Sequence, residues 1–230
     1  IWGNTLVDVK DIDITNLSFE EAIDIVPMEE DSGFKDERFD IILGNPPYMR
    51  TEEIKGTTSS KEIEVYKKNY KSAYKQYDKY FLFIERAILK LKSDGIAGLL
   101  VPNKFFTIGA AIELRKFIQN NNGLKQITDF KYAQIFEGVT NYVAMVQFGN
   151  FNSPIFNYSV VNSINGAFQS HVRLAYNSNN LLASHWFLTE DKELRDLYDF
   201  AINNFPKIEE EILTVNGIQT SKNDVYLLKK

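Results

Sequence analysis

Residues 39–48 read Phe39-Asp40-Ile41-Ile42-Leu43-Gly44-Asn45-Pro46-Pro47-Tyr48, a short apolar run closed by glycine, asparagine and two prolines. A run of this length suits a buried strand of a parallel sheet. The prolines end it, because neither can donate a backbone hydrogen bond and both have φ fixed. Downstream the pattern alternates. From Asp78 the residues Phe81, Ile84, Ile88 and Leu91 recur at helical spacing, and Ser93-Asp94-Gly95 supplies a stop. Ile96 to Val101 reads as a second buried strand ended by Pro102. Ala111, Leu114, Phe117 and Ile118 mark a second helix ending near Gly123. Gln126 to Phe136 and Asn141 to Phe148 make a final hairpin-like pair of strands, so the fold class is α/β.

Beyond residue 150 the chain changes character: Asn and Ser are abundant and strong apolar runs are few, apart from a helical stretch near Asp191 to Phe205. A boundary near Asn150 therefore divides residues 1–150 from residues 151–230. The acidic clusters of the first 33 residues, such as Glu29-Glu30-Asp31, read as a solvated loop. A parallel sheet starting at residue 39 has one unprotected edge, which further strands upstream would cover.

With 44% hydrophobic and 13% aromatic residues, the 230-residue chain is an ordinary globular one. It shows neither a membrane-length apolar run nor a signal segment, and a cytoplasmic location is expected. Its lack of cysteine excludes disulfides, thiolate metal sites and a cysteine nucleophile, and two isolated histidines make no metal cluster, so no metal is expected. The net charge of -5 hides an asymmetry. Residues 1–40 hold twelve acids and three bases, whereas residues 50–92 hold eleven bases and six acids. A local basic face can therefore serve phosphates on an acidic chain. Lys55, Lys61, Lys67, Lys68, Lys71, Lys75 and Lys79, interleaved with Tyr66, Tyr70, Tyr74 and Tyr77, fit either that role or a solvated helix face.

The turn at Asn45 carries the sharpest chemical signal, since ligands of open α/β sheets bind at the carboxyl ends of strands. Asn45 Oδ1 and the Pro46 carbonyl can accept both hydrogens of an exocyclic amine, and Pro47 keeps the loop stiff. Two such contacts favour an sp3-like nitrogen whose lone pair faces an incoming electrophile, with no strong base required. The ring of Tyr48 can stack on an extruded base. A plain strand-ending Pro-Pro turn accounts for the prolines but for neither the asparagine nor the tyrosine.

Asn45-Pro46-Pro47-Tyr48-Met49-Arg50, Tyr80 to Ala87, Leu91 to Gly95, Val101-Pro102-Asn103-Lys104-Phe105 and Leu114-Arg115, in that order over residues 39–150, resemble the γ-class DNA adenine-N6 methyltransferases, most of all those fused into type IIG restriction enzymes. The resemblance implies the C-terminal half of a Rossmann-like sheet, S-adenosylmethionine as cofactor, double-stranded DNA as partner, and direct methyl transfer to N6 of a flipped-out adenine. It places the target base against Asn45, Pro46 and Tyr48, and makes Phe136 a second stacking ring, where residue pattern alone gives a core phenylalanine at a strand end. It assigns Phe83 to the cofactor's adenine, where helical periodicity alone gives a core residue. Ile1-Trp2-Gly3-Asn4-Thr5-Leu6 resembles a further motif of the family, with Asn4 at its polar position near the cofactor.

No glycine-rich cofactor loop precedes Asn45, and no nuclease portion is present, so cofactor binding by these residues alone is expected to be poor and cleavage absent. Both parts, with the target-recognition domain whose opening Val215 to Tyr226 resembles, are expected in the remainder of a longer parent chain that begins before Ile1. Two alternatives stand beside this reading: a protein glutamine methyltransferase, which uses the same four-residue turn, and a non-catalytic DNA-binding module.

Overall fold

The computed structural model describes residues 4–8, 11, 38–121, 123–131, 133, 142–149, 153–164, 167–207 and 212. The elements that position the turn are strand β1 (Phe39–Gly44), helices α1 (Thr51–Thr57), α2 (Ser60–Asn69) and α3 (Lys79–Lys90), and strand β2 (Leu91–Pro102). Helix α4 (Ile112–Asn120), strands β3 (Leu124–Asp129), β4 (Val143–Gly149), β5 (Ile155–Ile164) and β6 (Ala167–Asn177), and helix α5 (Lys192–Asn204) follow. The chain divides into two units, Ile1–Glu190 and Asp191–Lys230.

The six strands form one mixed sheet in the order β1-β2-β4-β3-β5-β6. β1 and β2 are parallel, joined through the helical layer, and β4 inserts antiparallel between β2 and β3. The fold class is α/β, as expected. The carboxyl ends of β1, β2 and β3 consequently share one edge of the sheet, which is where the turn at Asn45 emerges.

Helix α3 buries Phe81, Ile84 and Ile88 as its periodicity requires, together with Tyr80, Leu82 and Ala87. Leu114, Phe117 and Ile118 do the same for α4, and Gly123 N donates to Ile118 O at 2.8 Å just beyond it. Along β2, Gly95, Ala97, Leu99 and Val101 alternate as the buried set.

Three expectations need correcting. β1 pairs in parallel as predicted, yet it is not buried: among the described residues nothing pairs with its outer side, and Ile41 and Leu43 are exposed. Ser93-Asp94-Gly95 does not stop the helix, because α3 ends at Lys90 and the three residues lie within β2. They form an irregularity there: the pairing jumps from Phe39↔Leu91 to Ile41↔Ile96. Gly95 is required at that jump, since a Cβ would lie 2.6 Å from Phe39 O, a backbone atom that cannot move aside. Finally, the Asn- and Ser-rich stretch after residue 150 holds two long strands. Phe156, Tyr158 and Val160 alternate inward from β5, which pairs in parallel with β3 and continues the same sheet.

Candidate active site

The turn after β1 is held from three directions. Tyr48 Oη donates within reach of two acceptors, Asn45 Oδ1 at 2.7 Å and Leu100 O on β2 at 3.0 Å. Arg50 N donates to Glu53 Oε2 at 2.9 Å, closing the start of α1. Thr51 Oγ1 accepts from Tyr77 N and donates to Tyr77 O, both at 2.7 Å, and Lys79 N donates to Met49 O at 2.8 Å. The loop preceding α3 is thus stitched to the turn.

Within this frame Asn45 and Pro47 are exposed, Pro46 is buried and Tyr48 is half-buried. Among the described residues no donor engages the Pro46 carbonyl, and Asn45 Oδ1, an acceptor with two lone pairs, uses only one on Tyr48. Two adjacent acceptors remain available at the carboxyl end of β1. The Tyr48 ring meets Tyr80 edge-on at 6.2 Å, and Tyr80 in turn packs edge-on against Phe81 and Phe105. Burial pushes the Tyr48 phenol up to about 12 and raises that of Tyr80 well above its ordinary value, so both are neutral hydrogen-bonding groups at neutral pH. The described turn holds no group poised to act as a base.

The Val101 to Phe105 motif lies beside the turn and is braced by residues that sequence reading missed. Asn103 Nδ2 donates to Asp129 Oδ1 at 3.0 Å, and the buried Asp129, at the carboxyl end of β3, also accepts from Lys131 N and Tyr158 Oη. Lys104 pairs with Asp78 at 2.5 Å, in the loop that holds Thr51. Arg115 is fully buried and donates to four carbonyls: Phe105, Ile108, Ala183 and Ser184. Desolvation lowers it to about 10, which leaves it protonated at neutral pH. It knots the segment after β2 to the segment before Trp186, whose N–H reaches Phe106 O at 2.7 Å.

Asn4 is joined to a different group. Its Oδ1 accepts from Leu6 N at 3.0 Å and its Nδ2 donates to Glu62 Oε1 at 2.6 Å. Glu62, on α2, is buried and also accepts from Tyr66 Oη, with Lys79 Nζ 3.9 Å away. Tyr70 Oη bonds Leu6 O, and Arg86 makes a bidentate pair with Asp8. Residues 4–8 are therefore docked on α2 and α3. No described contact links Asn4 to Asn45. Phe83 is half-buried on α3, partly packed against the core. Phe136 and the Val215 to Tyr226 stretch lie outside the described residues.

Glu62 and Glu85 carried a readable signal. Each lies on the inward stripe of its helix, Glu85 between Phe81 and Ile88 and Glu62 four before Tyr66, and a carboxylate there has to be satisfied by polar partners. Glu85 accepts from Lys71 N at 2.9 Å and Ser72 N at 2.8 Å.

Residues 3–136, well over half of the chain, match the Eco57I restriction-modification methylase family. The chain belongs to this family. Among relatives of this chain, the type II restriction enzyme and methyltransferase RM.Eco57I of Escherichia coli is 32% identical over 237 residues, covering 100% of this chain and 23% of that protein. The type II methyltransferase M.BstVI of Geobacillus stearothermophilus is 26% identical over 214 residues, covering 83% of this chain and 37% of that protein. The chain thus spans less than half the length of either. Among solved structures, the methyltransferase subunit of a type I restriction-modification system from Streptococcus thermophilus aligns with a TM-score of 0.45 at 17% identity, over 62% of this chain and 30% of that one. The type IIG restriction endonuclease BpuSI aligns with a TM-score of 0.39 at 21% identity, over 55% and 15%. Among the described residues no helix is long and apolar enough to cross a membrane, and no group of acidic or histidine side chains is arranged to hold a metal.

Proposed function

We propose that this methylase carries the catalytic turn of a DNA adenine-N6 methyltransferase of a restriction-modification system, acting on double-stranded DNA in the cytoplasm. The observation that carries the reading is the pair of available acceptors, Asn45 Oδ1 and Pro46 O, on a turn clamped to β2 and to the loop before α3. A flipped-out adenine presents two N6 hydrogens, and two fixed acceptors take both. Holding them in tetrahedral directions turns the nitrogen lone pair outward, and the neutral Tyr48 ring supplies a stacking face for the base. Phe136 is assigned as the second stacking ring. The N6 proton displaced on methylation leaves to water, as no base is needed at the turn.

S-adenosylmethionine, which family membership implies, supplies an electrophilic methyl group when bound. The residues present fit part of it. Phe83 stays partly exposed on α3 between the fully buried Leu82 and Ile84, and Asn4 retains one Nδ2 hydrogen beyond its bond to Glu62. These two, with Pro46, are the residues assigned to hold it.

The test is methyl transfer to adenine-containing duplex DNA by this chain together with the remainder of the parent expected to supply the cofactor loop, with product nucleosides separated chromatographically. N6-methyladenine that disappears with Asn45→Ala supports the assignment. Transfer to a glutamine-containing peptide in place of DNA would overturn it.

A further inference from the structure

The lysine- and tyrosine-rich segment after the turn separates in the fold into two sets. Tyr66, Tyr70 and Tyr77 are buried in the core, which removes them as base-stacking rings, while Lys67, Lys68, Lys71 and Lys75 are exposed and only Tyr74, 45% exposed, stays beside them. The carboxylates that would balance these cations are committed elsewhere. Glu62 is 4% exposed and holds Asn4 and Tyr66, and Asp78 is paired with Lys104. Between residues 60 and 79 that leaves Glu64 as the single exposed carboxylate, and among the described residues none of the four lysines has an ion-pair partner. Unpaired like charges crowded on one short segment repel one another.

The backbone beneath them is held firmly. Both oxygens of Glu85, itself 1% exposed, accept from the N–H groups of Lys71 and Ser72, and Ala73 N bonds Tyr70 O. Lys75 is kept at φ 52, left-handed backbone that a residue with a Cβ adopts at a cost of about 1–2 kcal/mol, and its ammonium lies 5.1 Å from the Tyr74 ring centre. The segment then runs directly into the Tyr77–Thr51 and Lys79–Met49 bonds that hold the catalytic turn. The backbone that carries these cations is therefore joined by hydrogen bonds to the turn that carries Asn45.

We propose that Lys67, Lys68, Lys71 and Lys75, with Tyr74, form a clamp for the sugar-phosphate backbone of duplex DNA, set in rigid register with the Asn45 to Tyr48 turn. The proposal rests on the methyltransferase reading for its choice of duplex DNA. A row of cations suits phosphates spaced along a strand, and its anchoring to the turn converts a contact that reads no sequence into positioning of the target nucleotide.

The test is the salt dependence of duplex DNA binding by the full chain, compared with a variant carrying Lys67→Ser, Lys68→Ser, Lys71→Ser and Lys75→Ser. The slope of log Kobs against log salt should shrink by about 3–4, near 0.9 for each phosphate no longer neutralised, for target and unrelated sequences alike. Replacing the four by arginine should restore it, and Asn45→Ala should keep the slope while losing methyl transfer. A variant carrying Lys116→Ser and Lys192→Ser, at lysines paired with Glu113 and Asp196, should keep it too. An unchanged slope in the quadruple variant overturns the clamp even if methylation proceeds. So does wild-type protein that binds duplex RNA or anionic vesicles but not duplex DNA. A slope that falls as expected in a protein that methylates no adenine upholds the clamp and sinks the catalytic reading.

Discussion

Two asparagines show how differently the same side chain is used in this molecule. Asn4 bonds the protein through both ends of its amide, with its oxygen on Leu6 N and its nitrogen on a buried carboxylate, so that it anchors residues 4–8 to α2 and keeps a single Nδ2 hydrogen over. Asn45 is exposed, shares one lone pair with Tyr48 and keeps the other. A carboxamide whose bonds all lie inside the fold contributes to stability, and one left partly unsatisfied on a rigid turn is available for a ligand. Sequence motifs treat the two alike.

The sharpest way to break the contrast is Asn45→Ala. It should lower methyl transfer by about 10² to 10³-fold, the usual cost of removing one preorganised polar contact to a reacting group, while the thermal midpoint stays within a degree or two. A large loss of stability instead would make Asn45 an anchor like Asn4. Glu62→Leu should do the reverse. It strands the Tyr66 hydroxyl and the Asn4 amide, costing on the order of 3 kcal/mol of folding stability in a denaturant titration. Near-normal stability would mean that the Asn4 anchor is dispensable.

A smaller effect is expected from Tyr48→Phe, which keeps the ring and removes the bonds to Asn45 and Leu100. The rate should fall by about tenfold, the worth of roughly one hydrogen bond, with the DNA KM little changed because stacking survives. A wild-type rate would show that the hydroxyl does nothing to hold Asn45. The least effect is predicted for pH. Burial raises the Tyr48 phenol to about 12 and raises Tyr66, Tyr70, Tyr77 and Tyr80 as well. Phenols raised in the folded state favour it fully below their unfolded value near 10, and that contribution is lost as pH climbs through the folded values. Stability should therefore show no change dependent on these five tyrosines up to pH 10 and decline above it, with their phenolates appearing together with unfolding. Phenolate formation near pH 10 by any of these five tyrosines in an intact fold would contradict the burial of this layer.

The parts legible in the sequence were those governed by short-range pattern. β1, the turn and the inward face of α3 each follow from spacing within a dozen residues, and so did the α/β class. The long-range bonds around the turn and its neighbours were not legible, because they join residues far apart: Asn4 with Glu62, Asn103 with Asp129, Arg115 with Ala183 and Ser184. β5 was hidden by its composition, since Asn157 and Ser159 alternate with its buried aromatic and branched residues and dilute the apolar signal. The run of lysines and tyrosines stayed ambiguous for a similar reason: which of two interleaved sets faces inward depends on what the rest of the chain packs against it.

The antiparallel insertion of β4 has a consequence for the order in which the molecule comes together. Until residues 143–149 leave the ribosome, β2 and β3 have no strand between them, and each presents an open edge on a nascent chain that already contains the turn at Asn45. The central slot is filled late by a strand about fifty residues downstream of β2, a non-local closure that slows folding. A chain stopped short of Val143 would not lose a peripheral strand. It would be left with the β1-β2 pair and a lone β3, since β5 and β6 also come after Val143, and the open edges would be prone to pair with those of other copies.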